Sequence, residues 1–284
     1  MNSIVFKIVF FILITFPSFH ALTKEQLIWR VIDWPPFYIL HGDDKGQGIY
    51  DQLISSMINY LPEYEHQRII MNTRRALTEI QHGKNVCHPS ALANTDALLS
   101  NINSFLLPYR IIYTVDNTTA NAVIRQQKSV SLVNLLANKE LTVGASIGRY
   151  SSEINTLFEK YAQQDKLVKN NNYDGLIQML LTGRIDFLVE YPPIITYSKK
   201  SHGSTALTNS MAITELGDNN FLAVYFACPN NDWGKKVIAQ INIALLKESQ
   251  NNNYLENRLK WYDDESKKIL KSHYQSHYLL DKTF

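Results

Sequence analysis

The chain has 284 residues, 45% hydrophobic and 19% charged, with a formal net charge of +2. That length and composition suffice to bury one large core or two small ones, and they exclude a disordered or collagen-like chain. The Lys and Arg residues are dispersed and form no basic run with interleaved aromatics, so nucleic acid is not an expected partner.

Residues 1–21 carry Lys7, an apolar run over 8–16, then Pro17, Ser18 and Ala21, the order of a secretory signal. The run is too short to span a bilayer, which takes about 20 apolar residues. Cleavage is expected after Ala21, with an uncleaved anchor as the alternative because Phe19 is large for the third position before the cut. No cysteine near residue 21 offers a lipid anchor, and no later apolar run reaches membrane length, so the mature chain is expected free in an exported, aqueous compartment. In an oxidising compartment Cys87 and Cys228 can form a disulfide, and two buried free thiols are the other reading. No metal is expected from two cysteines at this separation.

Segment 26–32 (QLIWRVI) predicts a strand, and 49–61 has apolar positions at helical spacing and stops at Pro62. A strand over 67–71, a helix over 75–82 closed by Gly83 and a strand from Val86 follow. This β-α-β-α-β order with short connections predicts a parallel sheet covered by helices. The pattern restarts with a strand at 141–145 (LTVGA), helices at 151–161 and 173–181, and a strand at 185–189 (IDFLV) running into Pro192 and Pro193. A buried strand over 221–227 (FLAVYFA) and a long amphipathic helix over 234–246 close the series. The restart and the length predict two α/β lobes. The Asn-rich stretches 170–172 and 251–253 read as loops, and His273 and His277 as surface residues.

No G-x-S-x-G, P-loop, H-E-x-x-H or G-x-G-x-x-G occurs, and Asp43, Asp44 and Asp51 lack the alternation of a calcium loop. The missing motifs favour a binder over an enzyme, and no cofactor is expected.

Several motifs, in order, carry a family resemblance. WPPFYILHGDDKGQGIYDQL, TRRALTEIQHGKNV, FLLPY (105–109), LTVGASIGRYSSEI, LLTGRIDFLVEY and NRLKWY together cover roughly 28–262. In this succession the chain resembles the bacterial extracellular solute-binding proteins of family 3, the periplasmic receptors of amino-acid-type ABC transporters. The resemblance implies a two-lobed periplasmic-binding-protein fold of type II, each lobe a mostly parallel sheet flanked by helices, joined by two crossover strands. Mapped here, lobe one is 22–113 plus 221–284 and lobe two 114–220. It also implies that the returning strand runs antiparallel beside the third strand of lobe one, which sets Cys228 opposite Cys87 for a disulfide.

The departures from the family bear on the ligand. The Arg that grips a ligand carboxylate maps to Leu99, and the Asp that takes its ammonium maps to Tyr191, with Glu190 adjacent. Without those charges an α-amino acid is disfavoured, since a buried zwitterion needs partners. Replacement groups are Arg74 and Arg75 at a strand-to-helix turn of lobe one, and Ser146, Gly148 and Arg149 at the corresponding turn of lobe two. Trp34 and Tyr38 are expected to stack on ligand while Phe37 enters the core, and Asp33, Ser90, Asn94, Glu190 and Tyr191 form a polar rim. The implied function is capture of a small polar or anionic solute by a monomeric periplasmic protein serving an ABC permease. The alternatives are a sensor for a membrane signalling protein and a dehydratase with Glu190 as general acid.

Overall fold

The computed structural model describes residues 24–124, 127, 129–146, 149–217 and 221–278; the expected signal segment and Gly148 lie outside them. The first third of the chain alternates β1 (Gln26–Val31), α1 (Ile49–Tyr60), β2 (Glu65–Ile70), α2 (Thr73–Gln81), β3 (Val86–Leu92) and β4 (Leu98–Leu106). The middle third contains β5 (Arg110–Thr114), α3 (Thr118–Ile124), β6 (Ser129–Val130), α4 (Leu132–Ala137), β7 (Val143–Ala145), α5 (Ser152–Tyr161) and β8 (Leu167–Lys169). There follow α6 (Tyr173–Leu181), β9 (Phe187–Glu190), α7 (Pro192–Ser201) and β10 (Thr208–Ile213). The chain then returns through β11 (Leu222–Cys228) to α8 (Asp232–Glu248), α9 (Asn252–Leu259) and α10 (Asp264–His273).

These strands form two sheets, ordered β2-β1-β3-β11-β4 and β6-β10-β5-β9-β7-β8. The β-α-β portions, β2-β1-β3 and β9-β7-β8, are parallel as expected. Both sheets are nonetheless mixed, because the strands next to the crossings, β4, β5, β10 and β11, pair antiparallel. The chain changes sheet between β4 and β5 and again between β10 and β11, so β5 already belongs to the second sheet. Lobe one here means the first sheet with its helices, and lobe two the second. Arg110, at the start of β5, reinforces the pairing with β10: its Nε donates to Ser210 Oγ at 3.0 Å and its Nη2 to the Ser210 carbonyl at 3.2 Å.

Burial and capping set the element ends. In β1 Leu27 and Trp29 are fully buried, with Trp29 Nε1 donating to His66 Nδ1 on β2 at 3.1 Å. The Asp51 carboxylate in the first turn of α1 accepts from Gly48 N–H (3.2 Å) and Ile39 N–H (2.7 Å), pinning the loop after β1 to the helix. Gly48 is required there by close approach, since a Cβ would stand 2.8 Å from Phe37 O and 2.9 Å from Tyr38 Cα. The Asn-rich stretches do contain caps. Asn172 Oδ1 accepts from Asp174 and Gly175 N–H at the start of α6, and Asn251 Oδ1 from Asn253 N–H at the start of α9.

Cys87 and Cys228 form a disulfide, fully buried on the adjacent strands β3 and β11. The segment after Tyr262 packs on lobe one. Leu270 and Tyr274 are fully buried, and Phe105 N–H donates to Tyr274 Oη at 2.7 Å. His273, expected at the surface, is instead drawn between the crossings. Its ring stacks on Phe221 (3.6 Å between centroids) and meets Phe105 edge-on (4.5 Å), because an imidazole covers aromatic faces left open where the chain changes sheet. The side chain of His277 lies outside the described residues.

Candidate functional site

The expected site residues follow the carboxyl ends of the parallel strands: 33–38 after β1, 74–75 after β2, 90 and 94 at the end of β3, 146 and 149 after β7, and 190–191 at the end of β9. In an open α/β sheet this edge is where ligands bind, because strand ends diverge there and loops are free to vary. A groove of about 620 Å³ lined by Gln81, Gly83, Asp96, Pro229 and Asn231 lies at the opposite end of the first sheet. The convergence of both lobes' loops favours the carboxyl ends over that groove as the candidate site.

On the lobe-one side the chain after β1 makes a tight turn, with Tyr38 N–H donating to Trp34 O at 3.0 Å and Trp34 N–H to Tyr38 O at 3.2 Å. The turn leaves Trp34 partly exposed and buries Phe37 completely. Tyr38 is also fully buried, its hydroxyl sharing a 2.8 Å hydrogen bond with Ser90 Oγ, so it supports the wall from behind and offers no open face. Burial pushes the Tyr38 phenol up to about 12, against the pull of Arg30, whose Cζ lies 5.8 Å from its ring centre. Arg30 donates from Nε to Met71 O (3.0 Å) and from Nη2 to Thr73 Oγ1 (3.0 Å), which occupies part of its donor set.

His88 is buried beside this cluster, and Ser90 N–H donates to its Nδ1 at 3.3 Å. Burial, with a smaller contribution from Arg30, lowers its pKa from 6.5 to about 3. A depressed pKa gives stability that is complete above the unfolded value and is lost as pH falls through the folded one, because the unfolded chain takes a proton that the folded chain refuses. Stability is therefore expected to fall between pH 6.5 and about 3 by up to roughly 1.4 kcal/mol per unit from this group. Urea midpoints measured at steps across that range should fall less steeply in His88→Gln; parallel losses in both proteins would refute the assignment.

On the lobe-two side Arg149 forms a bidentate ion pair with Glu190, Nη1 to Oε2 at 2.6 Å and Nη2 to Oε1 at 3.2 Å. Tyr173 covers the guanidinium at 3.9 Å from its ring centre. Glu190 is 3% exposed, and Tyr191 N–H also donates to its Oε1 at 2.8 Å. Burial pushes the Glu190 carboxyl up from its ordinary value, against the pull of Arg149 and of that N–H group. Ser146 is buried, and its carbonyl accepts from Arg149 N–H at 3.2 Å.

The lobes meet at Tyr191. Its ring centre lies 6.0 Å from that of Trp34, 5.9 Å from Phe37 and 4.1 Å from Tyr109 on the crossing. Tyr109 Oη donates to the Arg149 carbonyl at 3.4 Å, and its phenol is pushed up to about 12 by burial and by the nearby Glu190 charge. Farther out, Lys200 Nζ reaches both Asp44 oxygens at 2.6 Å, an exposed pair worth at most about 1 kcal/mol and weakened by salt.

The structure thus gathers Trp34, Arg149, Glu190 and Tyr191 at the junction, with Ser146 against Arg149. Asp33 is exposed on the lobe-one side. Arg74, Arg75 and Asn94 are also exposed, apart from this cluster in the chain's fold, after β2 and at the end of β3. The Arg75 N–H expected to favour an anion is taken by Asn72 Oδ1 at 2.9 Å. Sequence reading passed over Arg30, His88, Tyr109 and Tyr173. Arg30 carries a legible signal, since a cation inside the apolar run QLIWRVI must find buried acceptors. Among the described residues no group of three or more His, Cys, Asp or Glu is placed to hold a metal ion.

No protein-family model matches the chain, and no curated protein matches its sequence. Solved structures do match in three dimensions. An ancestral cationic amino acid solute-binding protein aligns at TM-score 0.63 and 16% identity over 84% of this chain and 96% of its own. A second structure of that ancestral protein describes it as a precursor of cyclohexadienyl dehydratase. The probable amino-acid ABC transporter extracellular-binding protein of Bacillus subtilis aligns at 0.62 and 16% over 86% and 99%. A histidine kinase sensor domain similar to periplasmic binding proteins aligns at 0.56 and 12% over 84% and 96%. With two mixed sheets, two crossings and loops of both lobes meeting at Tyr191, the chain has the two-lobed fold of the periplasmic binding proteins.

Proposed function

We propose that this protein is a periplasmic solute-binding protein that captures a small polar solute between its lobes and presents it to an ABC permease, acting as a monomer and without covalent chemistry. The observation that carries this reading is the meeting of Trp34 and Tyr191, two partly exposed aromatics at the carboxyl-end loops of opposite lobes. Such a junction stacks on a solute when the lobes close and releases it when they part. The two lobes of this reading are 22–113 with 221–284, and 114–220, with the first limit moved to about 109 because β5 pairs inside the second sheet.

A sensory role is the second reading, supported by the histidine kinase sensor domain among the structural neighbours. The same closure would then be read by a membrane signalling protein. A dehydratase reading has less support, because both Glu190 oxygens are held by Arg149 and the carboxyl is poorly placed to protonate a substrate.

A thermal-shift screen of the mature protein against amino acids, polyamines, carboxylates and peptidoglycan fragments tests solute capture, since a ligand of the folded state raises the melting temperature. A solute that raises it in the wild type should also reduce the radius of gyration in X-ray scattering, and Trp34→Ala should weaken its binding about tenfold or more. A screen with no response would overturn the reading.

A further inference from the structure

Arg149 presents two terminal nitrogens to the Glu190 carboxylate at 2.6 and 3.2 Å and one face to the Tyr173 ring. A guanidinium that binds a ligand carboxylate or phosphate uses that same two-nitrogen fork. Glu190 therefore already occupies the Nη1–Nη2 edge of Arg149 and offsets its charge, so an anionic solute would meet a neutralised guanidinium with only its Nε side left. Displacing Glu190 is unfavourable, because a carboxylate only 3% exposed would lose its counter-charge and stay buried. The Tyr191 N–H holds it in place as a third donor.

The lobe-one side offers no better anion site. Arg30 is spent in part on Met71 O and Thr73 Oγ1 behind Tyr38, and Arg74 and Arg75 stand in water, where an ion pair gains little. Asp33 adds an exposed negative charge whose field reaches Tyr173 and Tyr197 of lobe two.

Resting on the solute-capture reading, we infer that the Glu190–Arg149 pair is the charge filter of the cleft, so that the protein takes a polar solute with no free carboxylate or phosphate group. The pair leaves the lobe-two wall electrically neutral while keeping its aromatic faces and hydrogen-bonding groups. Specificity then comes as much from refusing anions as from attracting the right solute.

The test is calorimetric titration of the mature protein and three variants with succinate, inorganic phosphate and putrescine, each variant first checked for folding by near-ultraviolet circular dichroism. Wild type is expected to bind either anion only weakly. Glu190→Gln frees the guanidinium fork and should bind succinate or phosphate about tenfold to a hundredfold more tightly than wild type, the worth of charge-assisted hydrogen bonds. Arg149→Gln leaves the carboxylate without its partner and should gain putrescine by a similar factor. The double variant should gain neither.

Anion binding by wild type equal to that of Glu190→Gln would overturn the inference, as would a folded Glu190→Gln with no gain or a gain that persists in the double variant. If Glu190→Gln does not fold, Arg149→Gln decides, and absence of a putrescine gain overturns it. A wild type that binds no neutral or cationic solute, beside a Glu190→Gln that gains succinate, would sink the solute-capture reading while the filter stands.

Discussion

Replacing both Cys87 and Cys228 with alanine is expected to lower stability by about 4 to 5 kcal/mol, the chain-entropy value for closing a loop of this size. The two cysteines are 141 residues apart and fully buried between β3 and β11. The cross-link thus encloses most of β3, the whole of β4, all of lobe two and β11. Its main action is on the unfolded chain, which loses much of its freedom once residues so distant are joined. Urea unfolding should therefore show a lower midpoint with a steeper dependence on denaturant, since the uncrosslinked chain exposes more surface on unfolding. Alanine keeps the site apolar, so the comparison is free of a buried hydroxyl. An unchanged midpoint would show that the bridge merely decorates a sheet that is stable without it.

The second large effect is expected at Tyr274. Its side chain is fully buried against lobe one, and its hydroxyl accepts from the Phe105 N–H where the first crossing begins. Tyr274→Ala should cost about 3 to 5 kcal/mol, the range for deleting a buried aromatic ring. Tyr274→Phe should cost about 1 kcal/mol more than it recovers in packing, the usual worth of one hydrogen bond. The graded pair separates ring from hydroxyl, and thermal unfolding of both variants reads it directly. Equal, small effects would mean that the segment after Tyr262 adheres to the surface without sharing the core.

Much of the architecture was legible because its strands and helices are periodic. Ile49–Tyr60 and Tyr173–Leu181 have apolar faces at helical spacing, and their ends are marked by Pro62 and Gly183. Other elements were hidden by local chemistry that only the tertiary context resolves. Pro192 and Pro193 looked like the end of a strand, yet they open α7, where proline costs nothing because the first helical N–H groups have no partner. The strand Thr208–Ile213 (TNSMAI) lacks clear alternation, and its pairing with β5 rests partly on Ser210 serving Arg110.

The site was legible by position and less so by role. Reading the carboxyl-end loops named Trp34, Arg149, Glu190 and Tyr191 as candidates, and the structure brings these four into one neighbourhood. That Arg149 would be satisfied by Glu190, 41 residues later, is a tertiary fact with no periodic trace in the chain. The same holds for Tyr38, which shares its loop with Trp34 but turns inward to Ser90.

The position of β11 between β3 and β4 bears on how the molecule is assembled. The strand that joins β4 to the rest of the first sheet arrives last, after the whole of lobe two has been laid down. Until residues 222–228 are available, β3 and β4 have no common neighbour, and the edges they present are unpaired. Contacts of such long sequence separation form slowly, since a large loop must be closed before they reward it. Lobe two, whose strands all come from one continuous stretch, is free to form first and to bring the two halves of lobe one within reach. A nascent chain stopped short of Cys228 would thus be half built and adhesive, with one lobe complete and the other an open seam.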